Sequence, residues 1–128
     1  MALNILVLTS DERLALDVER VVEERAHVAT RVNRLRDLQE AMVRESPDVL
    51  LLDVGGSVSD TARVAATVAA VHPGVAVVLA VKAPPCRSES GFRVVDKWRT
   101  AERVVDELEL AYIGIPPSIE EPLQSRSW

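Results

Sequence analysis

Residues 46–56 read SPDVLLLDVGG: after Pro47 and Asp48 come four aliphatic residues, Val49 to Leu52, then Asp53, and shortly beyond it Gly55 and Gly56. Four aliphatic side chains in succession make a strand that is apolar on both faces, which suits the middle of a parallel sheet covered by helices on either side. Asp53 then falls at the carboxyl edge of that sheet, where open α/β folds place their ligand sites. A buried strand that ends in an acid is either part of a site or a structural cap on the glycine turn that follows.

Working outward, apolar runs alternate with amphipathic stretches. Strands are expected over Asn4–Leu8, 28–32, 49–52, 75–81 and 92–95. A helix from about Asp11 to Ala26 would bury Leu14, Val18, Val21, Val22 and Ala26, and a second, capped by Asn33, would turn Leu35, Leu38, Ala41 and Met42 inward. The third, over 61–71, points Val64, Val68 and Val71 to the core and stops at His72-Pro73-Gly74. The last begins near Arg99 or Thr100 and carries Val104, Val105, Leu108 and Tyr112.

The stretch KAPPCRSESG, residues 82–91, is rich in breakers and reads as a loop with at most one helical turn. Residues 1–112 make one domain, and 113–128, with three prolines and no periodicity, a tail or linker. Five strands alternating with helices define a three-layer α/β sandwich around a five-stranded parallel sheet with right-handed crossovers. Strand order 2-1-3-4-5 is the common arrangement at this size.

The composition bounds the function. A length of 128 residues suits a single domain, and a net charge of -5 with scattered basic residues argues against nucleic acid or an anionic membrane as partner. The amino terminus lacks a basic stretch before its short apolar run, so a cytoplasmic protein is expected. Cys86 is the sole cysteine, and with only His27 and His72 beside it there is no zinc constellation. Both histidines fall at element ends and read as surface residues. The only two lysines are Lys82 and Lys97.

The residues just past strands one, three, four and five converge on one edge: Thr9-Ser10-Asp11, Asp53, Ala80-Val81-Lys82 and Asp96-Lys97. An acid, a lysine and further oxygen ligands form a kit for handling a phosphoryl group, with the acid as nucleophile and the ammonium as counter-charge. Structural readings stand beside this one. Thr9 and Glu12 fit a capping box, Asp53 can cap its glycine turn, and Asp53 with Lys97 can form a standing salt bridge.

The segments ILVLTSDERLA (5–15), PDVLLLD (47–53) and VVDKW (94–98) resemble, in order and spacing, the receiver domains of two-component response regulators. The resemblance spans about Asn4 to Tyr112 and implies a flavodoxin-like, CheY-like fold. It makes Asp53 the phosphoacceptor candidate and Lys97 the phosphoryl contact, with a histidine kinase or a downstream effector or output domain as protein partner. It implies no enzyme activity.

Four departures point to a degenerate, or pseudo-receiver, domain. Thr9 and Ser10 stand where receivers carry the acids that hold Mg²⁺, leaving Asp53 and a late Asp11, or Asp48, as weak metal ligands and no other cofactor. Ala80 replaces the switch hydroxyl. Trp98 replaces the proline after the lysine, so the peptide is expected trans and the Lys97 head directed elsewhere, since a non-proline cis bond costs about 2.5–4 kcal/mol. The fourth helix is shortened or missing, because Lys97 follows Val81 by only sixteen residues. Any homodimer would then use the last helix and tail. A working single-domain receiver that accepts phosphate on Asp53 with Mg²⁺ is the alternative. A small flavodoxin-like enzyme or nucleotide binder is a further one, although no Gly-rich phosphate loop or Ser-His pair supports it.

Overall fold

The computed structural model describes residues 2–55, 57–82 and 92–114. Five parallel strands, β1 (Asn4–Leu8), β2 (Val28–Val32), β3 (Val49–Leu52), β4 (Ala76–Val81) and β5 (Arg93–Asp96), form one sheet in the order β2-β1-β3-β4-β5. Helices α1 (Glu12–Glu24), α2 (Leu38–Glu45), α3 (Val58–Val71) and α4 (Ala101–Ile113) connect them or follow them. The fold class and strand order are those expected from the sequence.

Two cores follow from strand alternation. Ile5, Val7, Val49, Leu51, Val78 and Ala80 face α1 and α4, while Leu6, Leu8, Leu50, Leu52, Val77 and Leu79 face α2 and α3. All four side chains of β3 are fully buried, as its unbroken aliphatic run requires for a central strand. Burying one such leucine stabilises the fold by about 1.5–3 kcal/mol. The registers Leu8↔Leu52 and Leu52↔Leu79 carry the carboxyl ends of β1, β3 and β4 to a common edge.

Helix α1 buries Leu14, Ala15, Val18, Val21 and Val22, one stripe at helical spacing. It ends in a Schellman motif, in which His27 N–H donates to Val22 O at 2.9 Å and Ala26 N–H to Glu23 O at 3.0 Å. That motif places Ala26 at φ 66°, an uncommon conformation for a residue with a Cβ.

Several expectations are corrected. Asn33 caps no helix: the chain passes Arg34 without a side-chain cap and makes a 3₁₀ turn at Leu35–Asp37 before α2. Leu35 is consequently exposed, as are Val71 and Tyr112, each at or near the end of its element and beyond the reach of the sheet. Helix α3 begins a turn earlier than expected because Ser57 accepts from Asp60 N–H, a cap inside a stretch that read as loop.

His27 is not a surface residue. It is 6% exposed, its Nδ1 accepts from Leu3 N–H at 3.0 Å, and its Nε2 lies 2.8 Å from Glu109 Oε2. The accepting Nδ1 assigns the ring proton to Nε2, which donates to Glu109. Arg25 joins the cluster, with Nη1 at 2.8 Å from Asp106 and 3.0 Å from Glu109, so the end of α1 is tied to α4. The stretch 83–91, where the sequence puts a shortened or missing fourth helix, lies outside the described residues; of the tail expected over 113–128, Ile113 instead ends α4 and Gly114 caps it, and 115–128 lie outside the described residues.

Candidate functional site

Three backbone hydrogen bonds bring the site residues to the carboxyl edge. Thr9 N–H donates to Val32 O at 3.2 Å, Asp53 N–H to Leu8 O at 2.9 Å, and Lys97 N–H to Val81 O at 2.9 Å. Each bond extends the pairing of the adjacent strands by a residue, so the three side chains emerge beside one another on rigid backbone.

They meet at one carboxylate. Asp53 Oδ2 accepts from Thr9 Oγ1 at 2.7 Å and from Lys97 Nζ at 2.8 Å, while Oδ1 accepts from Gly55 N–H at 3.1 Å. Gly55 has φ 82°, the left-handed conformation that glycine takes without cost, so the turn can fold back onto the acid. The structural cap and the standing salt bridge are therefore both present. The cluster is buried, with side-chain exposure of 4% for Asp53 and 9% for Lys97.

Thr9 links this pair to the start of α1. Its hydroxyl oxygen accepts from Asp11 N–H at 3.0 Å while donating to Asp53. The capping box of Thr9 with Glu12 is thus not formed. Asp11 is the N-cap, its Oδ1 accepting from Leu14 N–H at 3.2 Å, because Thr9 is almost wholly buried at the strand end with its hydroxyl turned to Asp53. The Leu14 N–H bond holds the Asp11 carboxyl below its ordinary pKa; partial burial opposes this, and Lys97 and Arg13 reinforce it. Asp11 Oδ2 lies 3.6 Å from Lys97 Nζ, so the ammonium stands between two carboxylates.

The remaining positions take different places. Ser10 is exposed, and Ala80 is buried in the core that faces α1 and α4. The β3–β4 register ends on Leu52↔Leu79 and runs Asp53 on toward Ala80, which offers a methyl group and no hydrogen bond. Trp98 follows Lys97 through a trans peptide, as expected. The Lys97 head nevertheless points at Asp53, correcting the expectation that it would turn away. Its backbone is fixed to Val81, and two acids attract the ammonium. Trp98 N–H donates to Asp96 Oδ1 at 2.9 Å, and the exposed Trp98 ring lies under the Arg13 guanidinium at 5.5 Å, a cation–π contact that joins α1 to the β5–α4 connection.

The oxygens do not fit a magnesium ion as they stand. Among the described residues no group of three or more His, Cys, Asp or Glu side chains is placed to hold a metal. The two carboxylate oxygens that could approach one, Asp11 Oδ2 and Asp53 Oδ2, both face the Lys97 ammonium. Asp48 is excluded as a ligand, because it accepts from Asn4 N–H at the amino edge. The strand between it and Asp53 separates the two by roughly 16 Å.

Sequence reasoning placed Asp53, Lys97 and Asp11 on one edge but missed that the Thr9 hydroxyl joins Asp53, and missed the His27 cluster altogether. A threonine in the first position after a strand, beside an acid on the neighbouring strand, was the available signal for the first. His27 had none, because its partners are 24 and 82 residues away in the chain.

No protein-family model and no curated protein matches the chain. Solved structures do. A response regulator from Thermotoga maritima superposes with a TM-score of 0.78 at 11% identity, over 89% of this chain and 100% of that one. NtrX from Brucella abortus gives 0.73 at 20% identity, over 88% of this chain and 27% of NtrX, so the chain spans about a quarter of that protein. An atypical orphan response regulator, described as having a phosphorylation-independent regulatory mechanism, gives 0.68 at 15% identity over 90% and 99% of the two chains. The domain has the fold of the receiver domains of response regulators.

Proposed function

We propose that this domain is a pseudo-receiver: a two-component-type signalling module that acts by contact with a protein partner and not by phosphoryl transfer at Asp53. The observation that carries this reading is the occupancy of Asp53 Oδ2, which holds the Thr9 hydroxyl and the Lys97 ammonium at once in a buried cluster. A carboxylate oxygen attacks phosphorus only when its lone pairs are free and the developing charge is neutralised. Here attack requires breaking charge-assisted bonds, with a threonine in place of a metal-holding acid and an alanine in place of a hydroxyl.

The likeness to a regulator described as phosphorylation-independent supports the same reading. A histidine kinase, an effector or an output domain are the partner classes that fit it. Tyr112 and Ile113, exposed on the last turns of α4, are an apolar surface for such a partner or for a second copy.

The test is incubation with acetyl phosphate or beryllofluoride and Mg²⁺, followed by intact mass and amide NMR. Unchanged mass and unshifted Thr9, Asp53 and Lys97 amides are expected. Stoichiometric labelling that disappears in Asp53→Asn would overturn the proposal and establish a working receiver.

A further inference from the structure

The geometry points to Lys97 as the resident cation of this site, a tethered ammonium that takes the place of a divalent ion and keeps one out. The inference rests on the pseudo-receiver reading and specifies how its charge is balanced.

Four carboxylate oxygens belong to Asp11 and Asp53, and each has a defined partner. Asp11 Oδ1 is used by Leu14 N–H and Asp53 Oδ1 by Gly55 N–H. The two left over, Asp53 Oδ2 and Asp11 Oδ2, lie 2.8 Å and 3.6 Å from the same Nζ. Every acid oxygen not spent on backbone therefore converges on one point, and that point holds an ammonium. Thr9 Oγ1 completes the oxygen set, at 2.7 Å from Asp53 Oδ2.

A magnesium ion needs oxygens at about 2.0–2.1 Å in near-octahedral array and would have to enter where Nζ sits. The displaced ammonium, on a side chain 9% exposed, would then lie beside a dication and give up both acids it is paired with, Asp53 and Asp11. The tether adds a second advantage. An intramolecular cation acts at an effective concentration that free ions at millimolar levels do not exceed. The lysine donates to Asp53 Oδ2 and faces Asp11 Oδ2 while Asp11 Oδ1 keeps its cap on α1.

Removal of the ammonium should expose the vacancy. Lys97→Met keeps the length and apolar stem of the side chain while leaving two acids facing each other with nothing between them. The experiment is an Mn²⁺ titration followed by paramagnetic broadening of the Thr9, Leu14 and Gly55 amides, with Mg²⁺ competition and potassium chloride at matched ionic strength as control. In the wild-type domain no selective broadening is expected at millimolar Mn²⁺. In Lys97→Met those three amides broaden saturably, Mg²⁺ reverses the effect, and the thermal midpoint rises with Mg²⁺ where the wild-type midpoint does not.

Selective, Mg²⁺-reversible broadening in the wild-type protein would overturn the inference, and that arm needs no variant to fold. If Lys97→Met is folded by circular dichroism and gains no binding, the inference is overturned as well. Metal binding without labelling by acetyl phosphate would remove this inference and leave the proposed function standing, while labelling of Asp53 would remove the proposed function first.

Discussion

Asp53→Asn distinguishes a structural bolt from an acid kept for chemistry. The substitution preserves shape, but its one carbonyl oxygen can accept either from Thr9 and Lys97 or from Gly55 N–H and not from both sides, so it removes the charge facing Lys97 and part of the hydrogen bonding. That ammonium is 2.8 Å from Asp53 and on a side chain only 9% exposed, and its remaining counter-charge is Asp11 at 3.6 Å. Breaking a buried pair by neutralising one partner costs about 3–5 kcal/mol. Asp11 and the retained hydrogen bonds offset part of this, so a loss of about 2–4 kcal/mol is expected. With a urea m-value of about 2 kcal/mol/M, the midpoint of unfolding falls by roughly 1–2 M. The assay is urea denaturation followed by far-UV circular dichroism at neutral pH. A midpoint that is unchanged or higher would refute the reasoning, because it would mean that the acid is held against electrostatic strain, as in a site maintained for function.

Asp11→Ala should destabilise by about 0.5–2 kcal/mol through the lost N-cap of α1. Because the folded-state carboxyl is held below its ordinary value, the Asp11 contribution is complete above about pH 4 and is lost as the pH falls through the lowered value, so the gap between wild type and variant must shrink in acid; a gap that widens there contradicts the assignment. His27→Ala leaves the Leu3 N–H without its acceptor in a buried site and opens a void, at about 2–4 kcal/mol, and hydrogen exchange at the Leu3 amide should rise accordingly; an unaltered exchange rate would argue against that bond. Ala26→Gly relieves the left-handed residue at the end of α1 and should stabilise by roughly 0.5–1 kcal/mol in the same urea assay, whereas destabilisation would mean that the helix does not end in this turn.

The elements were legible because each signal was local. The doubly apolar run Val49–Leu52 could only be a central strand, and the stripe at Leu14, Val18, Val21 and Val22 could only be a helix packed on one face. Errors gathered at helix ends. Asn33, Thr9 and the region of Ser57 are all residue types that cap helices, and which of them does so depends on where the chain comes from, which no short window contains. Leu35, Val71 and Tyr112 fit apolar stripes by spacing, yet the sheet beneath them ends before it can cover them.

The candidate site divides in the same way. That Asp53, Lys97 and Asp11 share an edge follows from strand order and alternation alone, since every residue just past a parallel strand emerges on the same side. That Thr9 serves Asp53 and not the helix, that the Lys97 head returns to the acid despite Trp98, and that one ammonium lies between two carboxylates are matters of a few ångströms between atoms 44 and 86 residues apart in the chain. Sequence by itself determined the layers, the strands and the address of the acid, because these depend on hydrophobic periodicity over a few neighbouring residues. Only the tertiary structure decided what the acid is bonded to, because a charge-assisted hydrogen bond is settled by distance and burial, and both arise from packing between segments that the sequence separates.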